Sequence, residues 1–341
     1  MSQRFAALAA LIGLLVLGIM LSNGDLVRAQ SAIPGRVSFQ IATGSTAGTN
    51  FPIGQAIAGL ISHPPGVGRC ETATVCGPAG VILSARTSSG SLDNLRMVND
   101  GLVDSAIAQG DAIAQAVAGK GVFRGAPQSH VRVIAALFTE QVHLVAMKPG
   151  IKSVADLKGR RVLLGVEGSG TNVVARQVLT AFRVPEHSLK QVKAESGSET
   201  DLLESGKIDA YFAVGGVPLD SVRGLLAHGA HLVPIEGAGR DRLVKAEPLL
   251  SPSVIAGAYP GAAPVETVAA RAYWITRDSV PDALVYGITR ALFNPANRAA
   301  LSASHLAARD ITLDNAAKDP PAPLHSGAAR YYREAGKLPR S

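Results

Sequence analysis

The chain has 341 residues, 47% of them hydrophobic and 17% charged, a globular composition that excludes disorder over the whole length and leaves room for two ordinary domains or one large one. Aromatic residues are only 4% while glycines number 36, which suits closely connected α/β units and disfavours both a sandwich built on an aromatic core and a platform that stacks nucleic-acid bases. The formal charge of +7, from 33 Lys and Arg against 26 Asp and Glu, is spread without a block of like charge; it reads as a diffuse field favouring small anions, not as a nucleic-acid footprint.

Arg4 precedes an apolar run from Phe5 to Met20, and Val27-Arg28-Ala29 follows a short polar stretch. This is the pattern of a secretory signal, with cleavage expected after Ala29; retention as an anchor is the alternative, although the run is short for a spanning helix. No cysteine follows the apolar run to suggest lipid attachment. The only two cysteines, Cys70 and Cys76, fall in the exported part, where oxidation is permitted, and a disulfide closing this short loop is the favoured reading over two free thiols or a zinc site.

Val37 to Ala42 reads as a strand that ends in the loop Thr43-Gly44-Ser45-Thr46-Ala47-Gly48-Thr49-Asn50, followed by a helix with Ile53, Ile57, Leu60 and Ile61 on one face. Arg161 to Val166 repeats the device: a strand, then Gly168-Ser169-Gly170-Thr171-Asn172, then a helix carrying Val173, Val174, Val178 and Leu179. A second match follows each loop. Ser89-Gly90-Ser91 leads into Leu92, Leu95 and Val98, then Gly101 to Asp104 and a strand over Ser105 to Ala108. Ser196-Gly197-Ser198 leads into Leu202 and Leu203, then Gly206 to Asp209 and a strand over Ala210 to Val214, so each Gly is expected to cap a helix before a short turn.

Two similar α/β lobes are the economical explanation. Arg132 to Leu137 and Val142 to Met147 read as two strands separated by a crossover at Phe138-Thr139-Glu140-Gln141, and Val268 to Thr276 reads as a return crossing. The chain is thus expected to comprise a signal segment (1–29), the first part of lobe 1 (30–138), lobe 2 (139–267), and a return crossover with C-terminal helices completing lobe 1 (268–341). A ligand cleft between the lobes follows, with all four Gly/Ser loops facing it.

Catalytic signals are weak: there is no nucleophile elbow, zinc-protease motif or phosphate-binding P-loop, and the eight histidines are scattered. His143, within an apolar strand run, reads as a core histidine. No catalytic residue, metal or cofactor is assigned. A binding role fits better, because Gly/Ser/Thr loops at helix starts present N–H groups and a partial positive charge to an anion, without needing arginine. The candidate ligand-binding residues are Thr43, Gly44, Ser45, Gly48, Thr49 and Asn50 from the first loop; Ser89 and Ser91 from the second; Gly168, Ser169, Gly170 and Thr171 from the third; and Gln109, Tyr211, Phe212 and Gly215 at strand ends.

Five segments carry a family resemblance: IATGSTAGTNFPIGQAIAGL from Ile41, SGSLDNLRMVNDGLVDSAIAQGD from Ser89, SVADLKGRRVLLGVEGSGTN from Ser153, DAYFAVGGVP from Asp209 and LHSGAARYYREAG from Leu324. In these, taken in order, the chain resembles the TAXI family of extracytoplasmic solute receptors associated with TRAP transporters. The Cys70 to Cys76 loop and the Gly77-Pro78-Ala79-Gly80 after it look like one subgroup of that family. The resemblance implies the type II periplasmic binding protein fold, two α/β lobes joined by a two-strand hinge with the ligand cleft between them. It also implies a periplasmic, non-enzymatic protein, read as a monomer, that captures a small organic anion such as an acidic amino acid or dicarboxylate and delivers it to a TRAP-type membrane permease. The alternative output is presentation of the ligand to a membrane sensor kinase.

Overall fold

A computed structural model describes residues 36–71, 75–195 and 197–340. The signal segment expected over 1–29 lies outside the described residues. Each of the two loop repeats seen in the sequence begins on a strand whose C-terminal residues are buried, Ile41 and Ala42 in the first and Val162 and Leu163 in the second. In the first lobe β1 (Val37–Ala42) leads through the first loop into α1 (Asn50–Ile61), whose Ile53, Ile57 and Ile61 are fully buried. β2 (Val81–Arg86), α2 (Ser91–Asn99), β3 (Ser105–Gln109) and α3 (Gly110–Val117) follow. The 16-residue β4 (Val131–Ala146) then runs out of this lobe.

The second lobe repeats the scheme with β5 (Arg161–Leu163), α4 (Gly170–Ala181), β6 (Lys190–Val192), α5 (Glu199–Glu204) and β7 (Ala210–Gly215). After α6 (Asp220–Ala227), β8 (His231–Leu232), α7 (Gly237–Ala246) and β9 (Ser251–Ile255), β10 (Val265–Arg277) returns. The C-terminal helices α8 (Asp282–Leu292), α9 (Pro295–Ser304) and α10 (Ser326–Glu334) close the chain.

The strand order is β2-β1-β3-β10-β4-β7-β5-β6. Counted from either end, the first strand of a lobe lies between its second and third, and a crossing strand follows; this is the type II periplasmic binding protein arrangement. β10 pairs with β3 through residues 272–276 and with β9 through 265–269, while β4 pairs with β10 and then, from Gln141 to Ala146, with β7. These two antiparallel strands are therefore the continuous link between the lobes. One core packs Phe39, Ile57, Trp274, Ile288 and Tyr332; another packs Leu144, Val162, Val178, Phe212 and Leu243.

One expectation is corrected. Phe138 to Gln141 does not break the strand into two, because Thr139, Glu140 and Gln141 all find partners on β10, at Arg271, Ala270 and Ala269. The pairing is irregular instead at two register shifts, opposite Arg271 to Tyr273 and Trp274 to Ile275 of β10, each leaving one extra residue on β4.

The repeated Gly-x-x-Asp acquires a structural reason. Gly101 (φ 72°) and Gly206 (φ 66°) take the left-handed conformation that ends their helices. Asp104 Oδ2 accepts the Gln40 N–H at 2.7 Å, and Asp209 Oδ2 accepts the Arg161 N–H at 2.8 Å, so each Asp docks the first strand of its own lobe. Cys70 and Cys76 are joined in a disulfide, and Asn297 ties the loop to α9 by donating to the Val75 carbonyl at 2.6 Å. Among the described residues no helix is long and apolar enough to cross a membrane.

Candidate functional site

The first loop is held by its own hydrogen bonds. The Thr43 hydroxyl donates to the Arg86 carbonyl at 2.8 Å, and the Asn94 amide donates to the carbonyls of Thr43 and Ile107 at 2.9 and 2.8 Å, pinning the end of β1 beside β3. The Ala47 N–H donates to Ser45 Oγ at 3.2 Å, and Gly48 N–H to the Ser45 carbonyl at 3.1 Å. The chain is thereby turned so that α1 starts at the cleft without a side-chain cap, leaving first-turn N–H groups for another acceptor. α2 also starts uncapped by a side chain. At α4 the Ser169 hydroxyl caps Asn172 N–H at 3.1 Å while donating to the Val166 carbonyl.

The lobes meet across the cleft. The N–H groups of Leu92 and Asp93 donate to the Gly168 carbonyl at 3.1 and 3.4 Å. Thr49 Oγ1 donates to the Gly216 carbonyl at 3.0 Å, and His305 Nε2 to the Pro218 carbonyl at 3.0 Å. Gly90, at φ 115°, lies so close to the third loop that a β-carbon would stand 3.2 Å from Ser169 Cα.

Between these contacts is a cavity of about 130 Å³. That is small beside the roughly 300–1,000 Å³ of sites for drug-sized ligands. All the expected ligand-binding residues line it except Gly168 and Gly215. Gly168 faces instead a neighbouring groove of about 1340 Å³ that runs past Arg96, Arg176 and Arg242. Gly215 packs beneath the site, where a β-carbon would meet Leu219 at 2.8 Å and Thr49 Oγ1 at 3.1 Å. The fourth loop also reaches the cleft, with a β-carbon on Gly197 3.8 Å from Ser45 Oγ; Ser196 lies outside the described residues.

Two hydroxyls expected to face a ligand as donors are committed elsewhere: Thr43 spends its proton on Arg86 and Thr49 on Gly216. The reason is burial. Both residues are at most 2% exposed, and a hydroxyl there must find a partner within the protein. His143 is a core residue as expected, fully buried and bonded to the Gln141 carbonyl and Tyr259; burial lowers its pKa to about 4.

The cavity also contains residues absent from the candidate set, chiefly Glu140, Glu199 and Ser221. Glu140 comes from the middle of β4 and is 2% exposed. Burial raises its pKa to about 8, hydrogen bonding with Gln109 and Asn50 lowers it, and the charge of Asp111 raises it further. Asp111, at the start of α3, is itself raised to about 6 by burial. Burial likewise raises Glu199. Among the described residues lining the cavity there is no Lys, Arg or His, and the described residues hold no cluster of metal-ligating side chains.

Compared with known protein families, residues 41–336 match the NMT1-like family. Solved structures similar to this chain include a protein of Bordetella bronchiseptica RB50 at 18% identity and a TM-score of 0.47, covering 89% of this chain and 81% of that one. The alkanesulfonate-binding protein SsuA from Xanthomonas axonopodis pv. citri, bound to MOPS, matches at 14% identity and a TM-score of 0.45, covering 89% and 85%. An ancestral arginine-binding protein bound to arginine matches at 17% and 0.45, covering 80% and 97%.

Proposed function

The chain belongs to the NMT1-like family, and from that premise we propose that it is an extracytoplasmic solute receptor of the TAXI type, which binds a small organic anion between its lobes and delivers it to a TRAP-type membrane permease. The observation that carries this reading is the small interlobe cavity on which the starts of α1 and α4 converge. Orphan N–H groups and aligned peptide dipoles at helix starts favour a carboxylate. The ligand meets one lobe first; bending of β4 and β10 then brings the other over it, and the closed surface is what the permease reads. The protein acts as a periplasmic monomer released from its signal segment, and it performs no catalysis.

Thermal unfolding of the purified protein with a panel of glutamate, glutamine, 2-oxoglutarate, C4 dicarboxylates and short aliphatic acids tests this reading. An acid at 100 times its Kd is expected to add about 2.7 kcal/mol, a shift of several degrees. Replacing Ser45 and Thr171 together by Ala is expected to weaken that acid. The absence of a saturable shift with any acid, in protein freed of co-purified ligand, would overturn the reading.

A further inference from the structure

Glu140 has no countercharge in its cavity. It sits on the crossing strand β4, opposite Ala270 of β10. It is 2% exposed and its Oε2 has no hydrogen-bond partner. Asn50 Oδ1 and Gln109 Oε1, on residues that line the same cavity, also lack partners. Asp111, whose charge acts on Glu140, and Glu199, which lines the same cavity, are acids too. An acid so placed, without a cation, is costly to ionise, and acceptors left without donors are costly to bury.

Resting on the receptor reading above, we infer that Glu140 receives a protonated amine of the ligand, so that the solute is a zwitterionic amino acid and not an amine-free carboxylic or dicarboxylic acid. A primary ammonium supplies three N–H donors and the missing positive charge beside Glu140. The starts of α1 and α4, whose first residues Asn50 and Gly170 line the same cavity, supply donors for the carboxylate of the same small molecule. The raised pKa of Glu140 fits this arrangement: the empty site keeps the carboxyl neutral, and the arriving ammonium favours its ionised form. A dicarboxylate would instead set a second anion against Glu140, Asp111 and Glu199.

Isothermal titration of the purified protein with matched pairs that differ only in the amine tests the inference: L-glutamate with 2-hydroxyglutarate, L-aspartate with L-malate, L-alanine with L-lactate. At pH 8 the amine-bearing member of the bound pair is expected to bind at least about 30-fold tighter. The substitution Glu140→Gln is expected to shrink that ratio to within a few-fold by weakening the amine-bearing member. Binding of a hydroxy acid as tightly as its amino partner by wild-type protein would overturn the inference and leave the receptor reading standing. So would a ratio unchanged in Glu140→Gln protein that melts cooperatively. Binding of neither member of any pair would overturn both.

Discussion

Gln109 Oε1, on one lobe, stands 1.7 Å from the place that a β-carbon on Gly170, on the other lobe, would take. Only a residue without a side chain allows the lobes to approach this closely, because Ser91 Oγ lies 2.9 Å from the same point. Gly170 opens α4 under the Ser169 cap, a position where alanine is a good local fit. The substitution Gly170→Ala is therefore expected to weaken ligand binding by about 10- to 100-fold, by analogy with overpacking costs of about 1–3 kcal/mol. Calorimetric affinity paired with a thermal melt checks this; unchanged affinity would show that the two lobes do not need this contact.

Glu140 and Asp111 make the empty protein's stability depend on pH in a defined direction. Both hold their protons more tightly in the native state, to about 8 and about 6, than in an unfolded chain. Their contribution is complete below pH about 4 and is lost as pH rises, Asp111 by about pH 6 and Glu140 by about pH 8, each with a slope of about 1.4 kcal/mol per pH unit within its window. Urea unfolding between pH 6 and 8 is expected to show Glu140→Gln with a flatter profile than wild type. Parallel profiles would mean that the carboxyl is not held neutral.

Much of this architecture was legible in the sequence, and the reason is physical. Glycine and hydroxyl residues recur at Thr43 to Asn50 and at Gly168 to Asn172 because each loop must turn sharply from a strand into a helix start. Asp104 and Asp209 recur because each docks an opening strand. Glu140 is not marked in the sequence because Phe138 to Gln141 reads as a crossover between two strands, where a polar residue is unremarkable. In a continuous strand with apolar residues from Val133 to Phe138 and again at Val142, Leu144 and Val145, an acidic residue is the signal to follow. Thr43 and Thr49 line the cavity, but their hydrogen-bond partners lie far away in sequence, at Arg86 and Gly216, and no local pattern announces them.

Asp209 is 4% exposed and accepts from Arg161 Nη2 at 2.6 Å and Lys148 Nζ at 2.8 Å. Burial alone would raise its pKa, but the hydrogen bonds from Arg161 and Lys148 outweigh it and hold the carboxyl well below the usual range. A lowered native pKa contributes stability above the unfolded value, near 4, and that stability is lost as pH falls further. Asp209→Asn is expected to cost about 1–2 kcal/mol at pH 7, since it removes charge-assisted hydrogen bonds to two cations that are themselves partly solvated. Denaturant titration at pH 7 and pH 3 checks it: the gap between variant and wild type narrows at the lower pH.

The disulfide between Cys70 and Cys76 closes a loop with a sequence separation of 6. For a loop this short, chain-entropy restriction is worth about 2 kcal/mol. Reduction, or Cys70→Ala with Cys76→Ala, is expected to lower stability by that amount without altering ligand affinity, because the loop is tied to α9 and neither cysteine lines the cavity. Melting and titration under reducing conditions separate the two effects.

A crystal structure with the tightest-binding acid of the panel tests the central claim most directly. The account places the ligand in the cavity lined by Thr49, Thr171 and Tyr211, with its carboxylate at the starts of α1 and α4. Density for the acid in the larger groove beside Arg96 and Arg176, with the small cavity unchanged, would contradict it.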